Sequence, residues 1–224
     1  MKLLLTSDGI RNKAISNALF ELVGKKPEDT SLVFVPTASN MEGGDKTCLI
    51  DDLINLKNQN FKSIDIVDIS AVDKDVWLPR FEEADILFFG GGNSYYLMEW
   101  FNKSGLTELL PELLKTKVYA GLSAGSMILG KELGLKISQV LYNEDLDRTE
   151  EMNGLGLIDF YFLAHLNSEF FPNIKDNLKE GKIKEIVKNM NEKVYALDDN
   201  SALKITDGKI EVVGEGKYLI LNEK

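Results

Sequence analysis

The sequence predicts an α/β fold, a three-layer sandwich in which a mainly parallel sheet is covered by helices, formed as one domain over residues 1–224. Three observations carry that expectation. Short apolar runs alternate with segments of helical period, as strands joined by helical crossovers do. Some runs are continuously apolar, above all Ser31-Leu-Val-Phe-Val-Pro36, which suits a strand buried on both faces. Two further runs end in glycine-rich turns, Gly90-Gly91-Gly92-Asn93 and Gly121-Leu-Ser123-Ala-Gly125, at the carboxyl ends of strands, where parallel sheets bind ligands.

Taken in order, Lys2 to Thr6 is a strand ending in Ser7-Asp8-Gly9, and Asn12 to Val23 has helical spacing through Ile15, Ala18, Leu19 and Leu22. Ser31 to Pro36 is the expected central strand, followed by a polar loop from Thr37 to Gly44 and a helix from Asp45 to Lys57. Ser63 to Ile69 gives another strand, and Asp75 to Phe81, with Trp77 and Pro79, a short helix or turn. Asp85 to Phe89 runs into the triple glycine, and helices from Tyr95 to Phe101 and from Leu106 to Leu114 break at Ser104-Gly105. Ile137 to Gly156, with its acidic stretch Glu144 to Glu151, reads as a surface excursion. Leu157 to Leu166 is a strand delivering His165 near its end, and Ile174 to Met190 a helix whose lysines form a solvated face. Lys193 to Leu197, Ser201 to Thr206 and Lys209 to Val213 are short strands, the last two joined by the hairpin signal Asp207-Gly208, and Tyr218 to Leu221 adds an edge strand.

Composition excludes several functions. The 36 acidic residues outnumber the 26 basic ones, and a net charge of -10 repels nucleic acid and anionic membranes. One cysteine, Cys48, allows no internal disulfide, and one histidine with it cannot build a thiolate and imidazole zinc site, so no metal or cofactor is expected. No signal peptide or membrane-spanning run stands out, which makes the expected location cytoplasmic. Exposed edge strands near the carboxyl terminus leave room for a homodimer.

The chemistry is read from Val118 to Leu129, a strand, sharp turn and helix centred on Gly-x-Ser-x-Gly. Such a nucleophile elbow holds a serine hydroxyl at the tip of a strand, which makes Ser123 the candidate nucleophile, and the amide of Ala124 points into the same space as an oxyanion donor. Gly91 and Gly92 offer further amides at a neighbouring strand end. A phosphate-binding role for that turn is the weaker reading, because it lacks both Gly-x-Gly-x-x-Gly spacing and a following Lys-Ser/Thr. A serine nucleophile needs a base and an acid that orients it. The base can only be His165. For the acid, Asp198 and Asp199 begin a strand-end loop, whereas Glu144, Asp145 and Asp147 read as a solvated acidic loop; Asp199 is preferred.

Together, Phe-Phe-Gly90-Gly-Gly-Asn-Ser94, Gly121-Leu-Ser123-Ala-Gly-Ser126, His165 and Ala196-Leu-Asp-Asp-Asn-Ser-Ala202 resemble the peptidase E (aspartyl dipeptidase) family of serine peptidases, relatives of cyanophycinase. The resemblance covers nearly the whole chain. It implies a fold similar to class I glutamine amidotransferases with serine in place of cysteine, Ser123 as nucleophile, His165 as base, and Gly91, Gly92 and Ala124 as the oxyanion hole. The acid, often glutamate in the family, falls on Asp199. Where the family is expected to carry an arginine for the substrate's aspartate, this chain has lysines such as Lys179 and Lys182, which lack the bidentate fork. The function expected is therefore a serine hydrolase of short peptides, a dipeptidase or aminopeptidase working through an acyl-enzyme. The alternatives are a non-catalytic small-anion or nucleotide binder and an esterase or amidase acting on non-peptide substrates.

Overall fold

The computed structural model describes residues 1–171, 182–188 and 190–223. Five parallel strands form most of a seven-stranded sheet: β1 (Lys2–Thr6), β2 (Ser31–Val35), β3 (Ser63–Ile66), β4 (Ile86–Phe89) and β5 (Val118–Leu122). The carboxyl-terminal hairpin, β8 (Ser201–Thr206) and β9 (Lys209–Gly214), joins antiparallel beside β1, giving the order β3-β2-β4-β5-β1-β8-β9. β5 therefore occupies the centre expected for β2, which lies one strand in from the edge.

The apolar strands divide their side chains between two layers. Leu4, Phe34, Phe88 and Ala120 face α1 (Lys13–Val23) and α3 (Thr47–Lys57), whereas Leu5, Val35, Phe89 and Tyr119 face α4 (Lys74–Glu83), α5 (Ser94–Ser104) and α6 (Leu106–Leu113). Alternation with a period of two along strands that are buried throughout requires this helical cover on both sides. Local sequence sets the helix ends: Asn12 Oδ1 accepts from the Ile15 amide at 3.0 Å to start α1, and Asn93 Oδ1 accepts from the Tyr96 amide at 2.8 Å to start α5. Gly24 and Gly105 then end these two helices with φ of 77° and 76°.

Several expectations require correction. The loop after β2 begins with a helical turn, α2 (Thr37–Asn40). The strand expected to reach Ile69 stops at Ile66, because the Asp68 carboxylate accepts from Thr37 Oγ1 and Asn40 Nδ2, both at 2.7 Å, and turns the chain. The apolar run ending in His165 forms β6 (Phe160–Leu163), which does not enter the main sheet. It pairs in parallel with β7 (Lys193–Leu197), and β7 pairs antiparallel with β10 (Tyr218–Leu221), making a separate three-stranded sheet. Residues of both sheets belong to one apolar cluster.

The stretch from Ile137 to Gly156 is no mere surface excursion. A helical turn, α8 (Leu135–Ile137), continues as a π-helical turn over Ser138–Tyr142 and buries Ile137 and Leu141 in the core. After β5, a short helix α7 (Ala124–Met127) carries the chain away from the elbow. Of the lysine-bearing helix, the structure describes α9 (Lys182–Val187); Lys175 and Lys179 lie outside the described residues. No helix among the described residues is long and apolar enough to cross a membrane.

Candidate active site

Ser123 sits at the junction of β5 and α7 with φ 47° and ψ -109°, a conformation that costs a non-glycine residue about 1–3 kcal/mol. The surrounding chain holds it there. A Cβ on Gly121 would lie 2.6 Å from the carbonyl oxygen of Gly125, and one on Gly125 would lie 2.1 Å from that of Phe89, so both glycines are required by close backbone approach. Neighbouring β1 supplies the brace: Thr6 O accepts from the Ser123 amide at 3.1 Å and from Ser126 Oγ at 2.9 Å, and Thr6 Oγ1 donates to Gly121 O at 2.7 Å.

His165 lies just beyond β6, with a φ of 63° that turns its ring toward the main sheet. It reaches the serine from the second sheet, not from the main one. Its Nε2 is 2.9 Å from Ser123 Oγ, and its Nδ1 is 2.7 Å from Asp199 Oδ1. Asp199 comes from the turn between β7 and β8, where the chain passes from the small sheet to the large one. Burial pushes its carboxyl upward, but the hydrogen bond and charge of His165, with the hydroxyls of Ser168 and Ser7, outweigh burial and hold it below the usual value. The Phe171 ring lies 4.9 Å from the imidazole and tilted 33° to it, covering one face.

Ser7 was not singled out from the sequence. Its hydroxyl donates to Asp199 Oδ1 at 3.1 Å and accepts from the His165 amide at 2.6 Å, tying base and acid to the end of β1. The available signal was its position at a strand's carboxyl end, although Ser-Asp-Gly reads equally well as an ordinary turn.

The other carboxylates considered for the acid go elsewhere. Asp198 accepts from the amides of Asn200 and Lys217, at 3.1 and 2.6 Å, and from Ser201 Oγ at 2.8 Å, clamping the turn beside it. Asp145, expected to be solvated, is instead engaged by Ser138 Oγ at 2.7 Å, Asn93 Nδ2 at 3.1 Å and Arg148 Nε at 3.3 Å. Asp147 is exposed, as expected of the loop, while Glu144 turns into the cavity. Gly91 and Gly92 lie beside the elbow, and a Cβ on Gly91 would come 3.5 Å from that of Ser123. Among the described residues the amides of Gly91, Gly92 and Ala124 make no hydrogen bond, although Gly90 and Asn93 on either side of the glycine pair do.

Ser123 and His165 open into a cavity of about 700 Å³. Its wall also holds charges that the sequence did not mark: Asp8, Arg11 and Asp52. Arg11 Nε is 2.6 Å from Asp8 Oδ2, and its Nη2 is 3.7 Å from Asp52 Oδ1. Burial, followed by the charge of Asp8, pushes Asp52 up to about 7 despite that arginine. A hydroxyl within reach of an imidazole whose far nitrogen meets a carboxylate can pass its proton to the ring and act as a nucleophile on a bound carbonyl.

The model of peptidase family S51 matches residues 3–213, and the chain belongs to that family. It is a serine peptidase. Among its relatives, peptidase E of Streptomyces coelicolor is 25% identical over 221 residues, covering 96% of this chain and 85% of the other. An uncharacterised peptidase of Listeria innocua is 22% identical over 188 residues, covering 80% and 82%. The crystal structure of a protein assigned to peptidase E from Listeria monocytogenes superposes with a TM-score of 0.77 at 21% identity, over 96% of this chain and 98% of that one. The expected α/β fold and the resemblance to peptidase E are thus borne out.

Proposed function

We propose that this serine peptidase hydrolyses short peptides as a dipeptidase or aminopeptidase, through an acyl-enzyme formed on Ser123. The observation that carries the reading is the continuous chain of contacts from Ser123 Oγ to His165 Nε2, at 2.9 Å, and from His165 Nδ1 to Asp199 Oδ1, at 2.7 Å. Ser123 Oγ attacks the scissile carbonyl as His165 Nε2 takes its proton. Asp199 fixes the imidazole with its proton on Nδ1 and stabilises the imidazolium. The oxyanion is held by the amide of Ala124 and one from Gly91 or Gly92, whose freedom from internal hydrogen bonds suits that role. His165 then returns the proton to the leaving amine, and water repeats the sequence on the acyl-enzyme.

Binding of a small anion without catalysis has less support, since the one arginine of the cavity wall is already engaged by carboxylates. The test is a fluorophosphonate probe followed by intact mass, together with a dipeptide hydrolysis assay. One adduct per chain on Ser123, and loss of both labelling and hydrolysis in Ser123→Ala, are expected; a Ser123→Ala protein that still hydrolyses dipeptides overturns the reading.

A further inference from the structure

The cavity around Ser123 is acidic in a specific way. Among the described residues Arg11 is its one arginine or lysine, and with Asp8 at 2.6 Å and Asp52 at 3.7 Å its fork is not free to receive a substrate carboxylate. Two other carboxyls of the wall, Glu42 and Glu144, have no such company. Glu42 comes from the loop after α2, and Glu144 from just beyond the π-helical turn, so separate segments bring them to the same space. Among the described residues neither side chain has a hydrogen-bond or ion-pair partner.

Glu42 lies exposed at the rim, so the cost of that arrangement falls on the half-buried Glu144. Burial, then the charge of Glu42, then that of Asp145 push Glu144 up to about 8, and burial likewise raises Glu42. Lys46 is the cation that acts on Glu42, yet its Nζ is held by the main-chain oxygens of Ser39 and Glu42. Carboxyls that face one cavity without a hydrogen-bond partner of their own are stabilised by whatever brings a positive charge between them.

Resting on the proposed role of Ser123, we infer that the substrate peptide places a cation, an ammonium or guanidinium group, between Glu42 and Glu144, and that the enzyme discriminates against peptides carrying a carboxylate there. The same chemistry can come from the peptide's α-amino group or from a basic side chain.

The experiment measures kcat/KM for lysyl-alanine, alanyl-alanine and aspartyl-alanine, with and without Nα-acetylation, in the wild type and in a Glu42→Gln/Glu144→Gln double variant. Aspartyl-alanine is expected to fall about tenfold or more below the best substrate, equivalent to about 1.4 kcal/mol, and the double variant to narrow that gap to a few-fold. A gain from lysine that survives acetylation assigns the cation to the side chain. A loss on acetylation without a gain from lysine assigns it to the α-ammonium. Equal or better cleavage of aspartyl-alanine by the wild type, or charge effects that persist unchanged in the double variant, overturns the inference. If the double variant does not fold, Glu42→Gln at the exposed rim carries the same test. Calorimetric binding of the three free dipeptides to Ser123→Ala separates this inference from the catalytic one: preference for a cationic over an acidic peptide supports it even where the wild type cleaves none, and its absence there overturns it.

Discussion

The two walls of the cavity differ in how their polar groups are satisfied. On the Ser123 side Asp199 receives His165, Ser7 and Ser168, and the His165 ring has a partner at each nitrogen. On the other side Glu42 and Glu144 have no hydrogen-bond partner among the described residues. Glu42 is exposed and Glu144 half-buried, so the contrast is between a wall whose polar groups hold one another in place and a wall whose carboxyls are left facing the open cavity.

The largest expected effect tests the satisfied wall. Asp199→Asn is expected to lower kcat by roughly 10⁴-fold, because a neutral partner accepts the wrong imidazole tautomer and no longer stabilises the imidazolium. Steady-state kinetics check this, with circular dichroism to confirm the fold. Near-normal turnover would place the acid elsewhere.

Ser7→Ala is a smaller perturbation of the same wall. It removes the hydrogen bond to the charged Asp199, worth about 1.5 kcal/mol, together with the acceptor of the His165 amide, and is expected to reduce kcat about tenfold or more with little change in KM. A change confined to melting temperature would make Ser7 structural rather than positioning.

The smallest effect belongs to the unsatisfied wall and appears as a pH dependence of stability. Glu144 titrates in the folded protein at about 8, above the roughly 4.3 of an unfolded glutamate. Between those values the folded state retains a proton that the unfolded chain has released, so this group's contribution falls as pH rises. Glu144→Gln is therefore expected to raise Tm by a few degrees near pH 9 and to leave it nearly unchanged near pH 4. Melting curves across that range check it, and equal stability at both ends would mean that Glu144 ionises freely.

These walls were unequally legible in the sequence. The Ser123 turn could be read because backbone geometry demands its glycines locally, and His165 because the chain offers no other imidazole. Asp198 and Asp199 are adjacent and alike in composition, and only their orientation about one turn distinguishes a clamp from the partner of His165. The second sheet was hidden because β6 and β7 are apolar runs like those of the main sheet, and periodicity carries no information about which strands pair. Glu144 and Asp145 read as solvent-facing because the stretch around them is acidic, but tertiary contacts turn one into the cavity and tie the other to Asn93 and Ser138.

The bond from Ser7 to Asp199 joins positions 192 residues apart, and β1 has β8 as one of its two neighbours. On the ribosome, therefore, the Ser123 turn is synthesised before His165 and Asp199, the partners proposed to activate it. At about 5–20 residues per second, about 4 to 15 s pass between the addition of Ser123 and that of residue 199. Throughout that interval Ser123 lacks, on the proposed roles, the acid that orients its base. On the proposed roles the enzyme acts as its own zymogen while it is being translated, and it is switched on by the arrival of a late turn rather than by removal of a segment.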